Sequence, residues 1–158
     1  MTLQTDQVVL TLNNLIEICR DSEKGFQKAA ERIADPHLRI LFTDYQRQRG
    51  QLAEELQFEV RRLGAQPVES GSLAGKLHQG WFELKEAVTG YDDTDILAEC
   101  ERGEDVALEH YRDASQAELP EAVGQIVRRQ CAAVQAAHDR IRDLEKEHIR
   151  SRSDHAAT

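Results

Sequence analysis

Aromatic residues make up only 5% of this 158-residue chain, which has three prolines and one tryptophan. So few large rings and turn formers argue against a β-sandwich and favour long amphipathic helices. Cysteine is also scarce: Cys19, Cys100 and Cys131 form no CxxC pair, and an odd, widely spaced set is not a disulfide framework. Basic residues are outnumbered, 20 Lys and Arg against 29 Asp and Glu, giving a net charge of −9. That balance excludes a general nucleic-acid binder, which needs clustered cations to meet phosphates. Arg47, Arg49, Arg61 and Arg62 are interleaved with acids and read as a solvated face. No segment approaches the roughly 20 apolar residues of a membrane helix. The first residues lack a basic region leading into an apolar run, so no signal peptide is visible and a cytoplasmic location is expected.

What the chain does have is apolar residues at alternating steps of three and four. Along the first helix these are Val9, Leu12, Ile16, Cys19, Glu23, Phe26, Ala30 and Ile33, all on one side. A later segment repeats the pattern with Leu97, Cys100, Glu104, Ala107, Tyr111 and Ala114. A shift of 81 residues places Cys19 on Cys100 and Glu23 on Glu104, which suggests an internal repeat.

Punctuation divides the chain into helices expected at about 6–34, 36–63, 72–89, 93–118 and 120–149. Asp35-Pro36 and Leu119-Pro120 are tight joints, since proline suits a first helical turn. Gly64 is a natural left-handed cap, and Asp92, Asp93 or Thr94 can cap the helix that follows Gly90. The short 72–89 segment would anchor itself through Trp81. Residues 151–158 read as a polar, frayed tail. Two tight pairs joined by a long crossover give an all-α, antiparallel, left-handed four-helix bundle over residues 1–150, with the connectivity of ferritin-like proteins.

A carboxylate on a core stripe is costly unless protonated, paired or bound to a cation. Carboxylate-bridged metal sites in bundles use one Glu from each of two helices and Glu-x-x-His from the other two. Glu23 and Glu104 supply the first requirement. On the last helix His138 lies on the stripe of Val127, Cys131, Val134, Ile141 and Glu145, but Gln135 stands where Glu would precede it. On the second helix the stripe reads Leu41, Tyr45, Gln48, Leu52, Glu55 and Glu59, which favours Glu55 over Glu54 or Gln51. The candidate metal set is therefore Glu23, Glu55, Glu104 and His138, with Gln51, Glu54 and Gln135 as alternates, and it suits Fe, Mn or Zn. Tyr45 and Tyr111 sit beside it and can hydrogen-bond carboxylates. Of the acids in the 99–105 run, all but Glu104 point away from the stripe. The competing interpretation is a structural polar network in which these groups pair with one another or with Arg20. A thiolate pair of Cys19 and Cys100 is a sharper alternative to two small buried hydrophobes. Ile40, Phe42 and Phe58 fall off the second-helix stripe and suggest cover by the crossover helix or by a second subunit in a homodimer.

Four stretches carry a family resemblance: LIEICRDSEKGF at 15–26, GSLAGKLHQGW at 71–81, ILAECERGED at 96–105 and HDRIR at 138–142. Over residues 8–145 the chain resembles an uncharacterised bacterial family, a four-helix-bundle domain of unknown function placed near the ferritin-like proteins. The resemblance implies the bundle fold and no particular activity. Gln135 in place of Glu, and no His on the second helix, depart from the ferritin pattern. The functional expectation is a bundle that binds a divalent metal between helices, for metal handling or stress protection. The alternative is a non-catalytic structural or interaction module.

Overall fold

The computed structural model describes residues 2–69 and 92–156. Helix α1 spans Leu3–Arg32, α2 Pro36–Arg62, α3 Asp93–Gln116 and α4 Glu121–Ala156. The short helix expected over 72–89, with Trp81 and His78, lies outside the described residues. Local chemistry sets the helix ends. The Asp35 carboxylate accepts from the backbone N–H of His37 at 2.8 Å, with Pro36 in the first helical turn. Gly64 takes φ +85° after α2, and the Ala65 N–H returns to the Val60 carbonyl at 3.2 Å, as the glycine suggested. Asp92 and Asp95 form a reciprocal capping box at the start of α3. The Asp93 carboxylate accepts from the N–H groups of Ala34 and Asp35 at 2.8 and 3.0 Å. This ties the α1–α2 joint to the foot of α3. The last helix does not fray at residue 150 but continues to Ala156. No Gly or Pro stops it, and Arg152 reaches Asp92 at 3.1 Å.

The short joints make α1 antiparallel to α2 and α3 antiparallel to α4, and each of these pairs is extensively packed. Contacts between α1 and α3 join the pairs, and the α2–α4 contact is sparse. Two apolar clusters fill the interior. One gathers Leu12, Ile16, Leu56, Tyr111, Val127 and Val134, and the other gathers Phe26, Ile33, Phe42, Leu97 and Ile141. On every helix the boundary between them falls at one level, marked by Glu23, Arg49, Glu104 and His138. The bundle therefore has a polar layer at mid-height.

The stripe expected on α2 was out of phase by one residue. Its buried residues include Leu38, Phe42, Arg49, Leu52, Ala53, Leu56, Glu59 and Val60, whereas Leu41, Tyr45 and Gln48 are only partly buried. Phe42 needs no second subunit, because it stacks on Phe26 with ring centroids 6.0 Å apart. Ile40 and Phe58 do remain exposed, at 63% and 59%. The slip arose because Arg49 sits at a core position, and a charged residue there hides the true stripe.

The corrected phase makes a prediction. Phe42→Ala should cost about 3–5 kcal/mol by opening a cavity, whereas Phe58→Ala should stay within about 0.5 kcal/mol. Denaturant melts of the two variants check it. Equal losses would contradict this packing.

Candidate functional site: an ion pair on the axis and a carboxylate–histidine cluster in a groove

The mid-height layer centres on Arg49 and Glu104, both wholly buried. The guanidinium donates from Nη1 and Nη2 to the two Glu104 oxygens, each at 2.6 Å. This is the planar, two-point geometry that suits Arg and a carboxylate. The Arg49 Cζ also lies 5.3 Å from the centre of the Phe26 ring. Burial alone would lower the Arg49 pKa, but the charge and hydrogen bonds of Glu104 outweigh it and hold the pKa above its ordinary value. Arg49 thus belongs to the core and not to the solvated face expected for it, while Arg47, Arg61 and Arg62 are exposed.

The repeat partners Glu23 and Glu104 have unlike surroundings. Glu23 is about one-third exposed and accepts from Arg20 at 3.0 Å. It leans across α2 at Gly50, where a β-carbon would come within 2.4 Å of its Oε2. Glu55 accepts from Gln130 Nε2 at 2.7 Å and pairs with Arg129. Tyr111 donates to Gln130 at 2.7 Å and also meets the Cys19 sulfur at 2.9 Å, so its hydroxyl serves this network and not the carboxylates. Burial pushes the Cys19 thiol up to about 11 and Cys100 well above its ordinary value, which disfavours the thiolate at both positions. Gln51 and Glu54 face solvent. Gln135 accepts from Arg112 at 2.7 Å and donates to Asp139 at 3.0 Å.

The expected quartet of Glu23, Glu55, Glu104 and His138 is therefore shared out among separate partners. The residues on the axis do not fit a carboxylate-bridged metal pair. Both Glu104 oxygens are spent on a cation of the chain itself, and α2 contributes Arg49 to that layer, with Glu55 held by Gln130 and Arg129.

His138 turns into the groove between α3 and α4. Its Nε2 lies 2.6 Å from Asp105 Oδ1 and its Nδ1 lies 3.0 Å from Asp139 Oδ1. Glu101, Asp105 and His138 each offer a ligand atom within 4.8 Å of the others. Burial pulls the His138 pKa down, but the hydrogen bonds to Asp139 and Asp105 more than offset this and raise it. If Nδ1–H points to Asp139, the Nε2 lone pair faces a carboxylate oxygen. Something positive, a proton or a metal ion, must then lie between them. Glu145 adjoins the cluster, and burial with Glu101 and Asp105 nearby pushes its carboxyl up to about 7. A hydrogen bond to Glu101 contributes to that rise, and among the described residues the Glu145 Oε2 is buried without a partner. These donors fit a divalent ion: two carboxylates and an imidazole, with a carboxylate fixing the far ring nitrogen.

His138 is legible in the sequence as a polar residue on an apolar stripe, whereas Glu101 and Asp105 are not, because they point away from the bundle axis. A readable signal was present. Glu101 and Asp105 are spaced i,i+4, and His138 and Glu145 i,i+7, so each pair lies on one helical face. The register of α3 against α4 was needed to bring those faces together.

With this geometry in place, comparison with known proteins identifies the family. The chain belongs to the family described as a domain of unknown function (DUF2383), which matches residues 7–117. The match spans α1 to α3 and stops short of His138. No curated protein sequence matches the chain. Solved structures share the fold. A two-domain protein from Anabaena variabilis, with DJ-1/ThiJ/PfpI-like and ferritin-like domains, aligns at TM-score 0.74 and 19% identity over 91% of this chain. The chain spans only 40% of that protein's length. A dodecameric thioferritin, the bacterioferritin-related protein of Bacteroides fragilis, aligns at TM-score 0.77 and 14% identity, covering 95% of this chain and 90% of that one. The DPS protein of Vibrio cholerae O1, described as belonging to a superfamily of ferritin-like diiron-carboxylate proteins, gives TM-score 0.57 and 21% identity, covering 90% and 85% of the two chains. The fold is a ferritin-like four-helix bundle. Among the described residues no helix is long and apolar enough to cross a membrane.

A second acidic feature on α1 shows how a buried acid differs from a site. Asp21 is partly buried, its Oδ2 has no hydrogen-bond partner among the described residues, and burial pushes its carboxyl up to about 6 from an ordinary 3.8. A carboxyl whose pKa is raised by folding costs stability once ionised. The cost is absent below about pH 4, grows up to about pH 6 and is full above that. Asp21→Asn should therefore raise the melting temperature at pH 8, with the gain vanishing at pH 4. A pH-independent difference would show that desolvation is not its cause.

Proposed function

We propose that this protein binds one divalent metal ion in the α3–α4 groove through Glu101, Asp105 and His138, as part of metal handling or protection from metal-driven stress. The observation that carries this reading is the convergence of those three ligand atoms within 4.8 Å of one another. Mixed oxygen and imidazole donors suit Fe(II), Mn(II) or Zn(II), and three ligands leave further positions for water. Glu145 stands beside Glu101 as a further carboxylate. The ferritin-like neighbours support a metal role for this architecture, one of them through its described diiron-carboxylate superfamily.

A second reading, a non-catalytic structural bundle, is favoured by the Arg49–Glu104 pair, which completes the core without metal. Exposed Ile40 and Phe58 support self-association within either reading. One experiment separates the two. Metal-free protein is melted with increasing Mn(II) or Zn(II), alone and as Asp105→Asn/His138→Ala. A ligand bound only by the native state at about 100 times its Kd adds about 2.7 kcal/mol. For a chain of this size that is a rise of roughly 5–10 °C. The wild type should show the rise and the double variant should lose it. A wild type indifferent to both metals would leave the structural bundle as the better reading.

A further inference from the structure

We infer that Arg49 is a resident cation that closes the bundle axis to metal, so that the core of this ferritin-like bundle is complete without an ion. Four observations on the axis carry this. The Arg49–Glu104 layer lies between the two apolar clusters, at the level where Glu23 and Glu104 would have shared a metal. Both Glu104 oxygens are engaged at 2.6 Å. Neither side chain has any exposure, so moving Arg49 aside into water to admit another cation would require the surrounding core to repack. The Phe26 ring lies near the guanidinium at 5.3 Å and limits its movement further.

Charge accounting explains the rest of the layer. A pair of divalent ions needs several carboxylates around it, whereas a single guanidinium is matched by one. Once Arg49 has taken Glu104, a second buried carboxylate would be uncompensated. Glu23 accordingly sits partly in water, held by Arg20 and lying over Gly50, where the missing side chain leaves it room. Arg49 is a positioning residue here: it fixes Glu104 and sets the height of α2 against α3.

The test isolates the axis from the groove by using the Asp105→Asn/His138→Ala protein as background. Mn(II) is added, and both the melting temperature and the paramagnetic broadening of Tyr111 and Phe26 side-chain signals are followed. The expected result is no melting shift and no broadening. Metal-dependent stabilisation with broadening at those rings would overturn the inference, whatever the groove does in the wild type. Two further variants probe the pair itself. Arg49→Met leaves a buried carboxylate alone and should lower the melting temperature by about 10 °C or more. Adding Glu104→Met should bring it back to within a few degrees of the parent. A double variant no better than the single one would also overturn the inference. If Arg49→Met fails to fold, the double variant against its parent still decides, because recovery of a folded bundle requires the pair to be mutually compensating.

Discussion

A charged group inside a helical bundle has to find its counter-charge there, and in this protein Glu104 finds it on Arg49. Moving either ion from water into the core costs several kcal/mol, and only a close, well-aligned partner offsets that cost. The two-point contact at 2.6 Å supplies the alignment. The rest of the interior is arranged around this fact. Apolar side chains separate into a cluster above and a cluster below the pair. One layer away, the hydroxyl of Tyr111 and the amide of Gln130 form a second hydrogen-bonded network with Glu55 and Arg129. Because the pair is directional while apolar packing is not, it fixes the axial register of α2 against α3 in a way that leucines would not.

The architecture was legible because it rests on periodicity and on punctuation. Steps of three and four along α1 and α3 need no tertiary knowledge, and Asp35-Pro36 and Gly64 act within a turn of where they stand. The site was legible only in part. Glu104 and His138 were recognised as costly residues on apolar stripes, and both are indeed buried. Arg49 was not recognised. The prior that arginine lies at the surface is strong, and its sequence neighbours Gln48 and Arg47 support it. What reverses that prior is a partner 55 positions away, and no local pattern in the chain reports a contact of that range. Misplacing Arg49 rotated the whole α2 stripe, which promoted Glu55 to the axis and left Phe42 apparently uncovered.

The 81-residue repeat carried a similar lesson. Cys19 and Cys100 do correspond, as two fully buried thiols. Glu23 and Glu104 correspond in sequence but not in surroundings, because α2 can face only one of them with Arg49. Duplicated halves give equivalent backbone positions. They do not give equivalent electrostatics once one helix breaks the symmetry with a single cation.

This asymmetry also bears on why the groove, and not the axis, is where we propose that an external cation binds. On the axis Arg49 and Glu104 match each other and are shielded from water, so an incoming ion would have to displace a buried guanidinium before gaining anything. In the α3–α4 groove the balance runs the other way. Glu101, Asp105, Asp139 and Glu145 gather about one imidazole, with Asp105 60% exposed and Arg142 reaching Asp139 only at 3.6 Å. Water reaches the groove, so an ion can exchange hydration for carboxylate ligands step by step. The imidazole is already oriented by Asp139, so little ordering remains to be supplied when a metal arrives. A core neutralised by its own arginine and a surface cluster short of positive charge are thus two outcomes of the same rule. Carboxylates brought together need a cation: on the axis Arg49 meets both oxygens of Glu104, whereas in the groove Arg142 reaches Asp139 only at 3.6 Å.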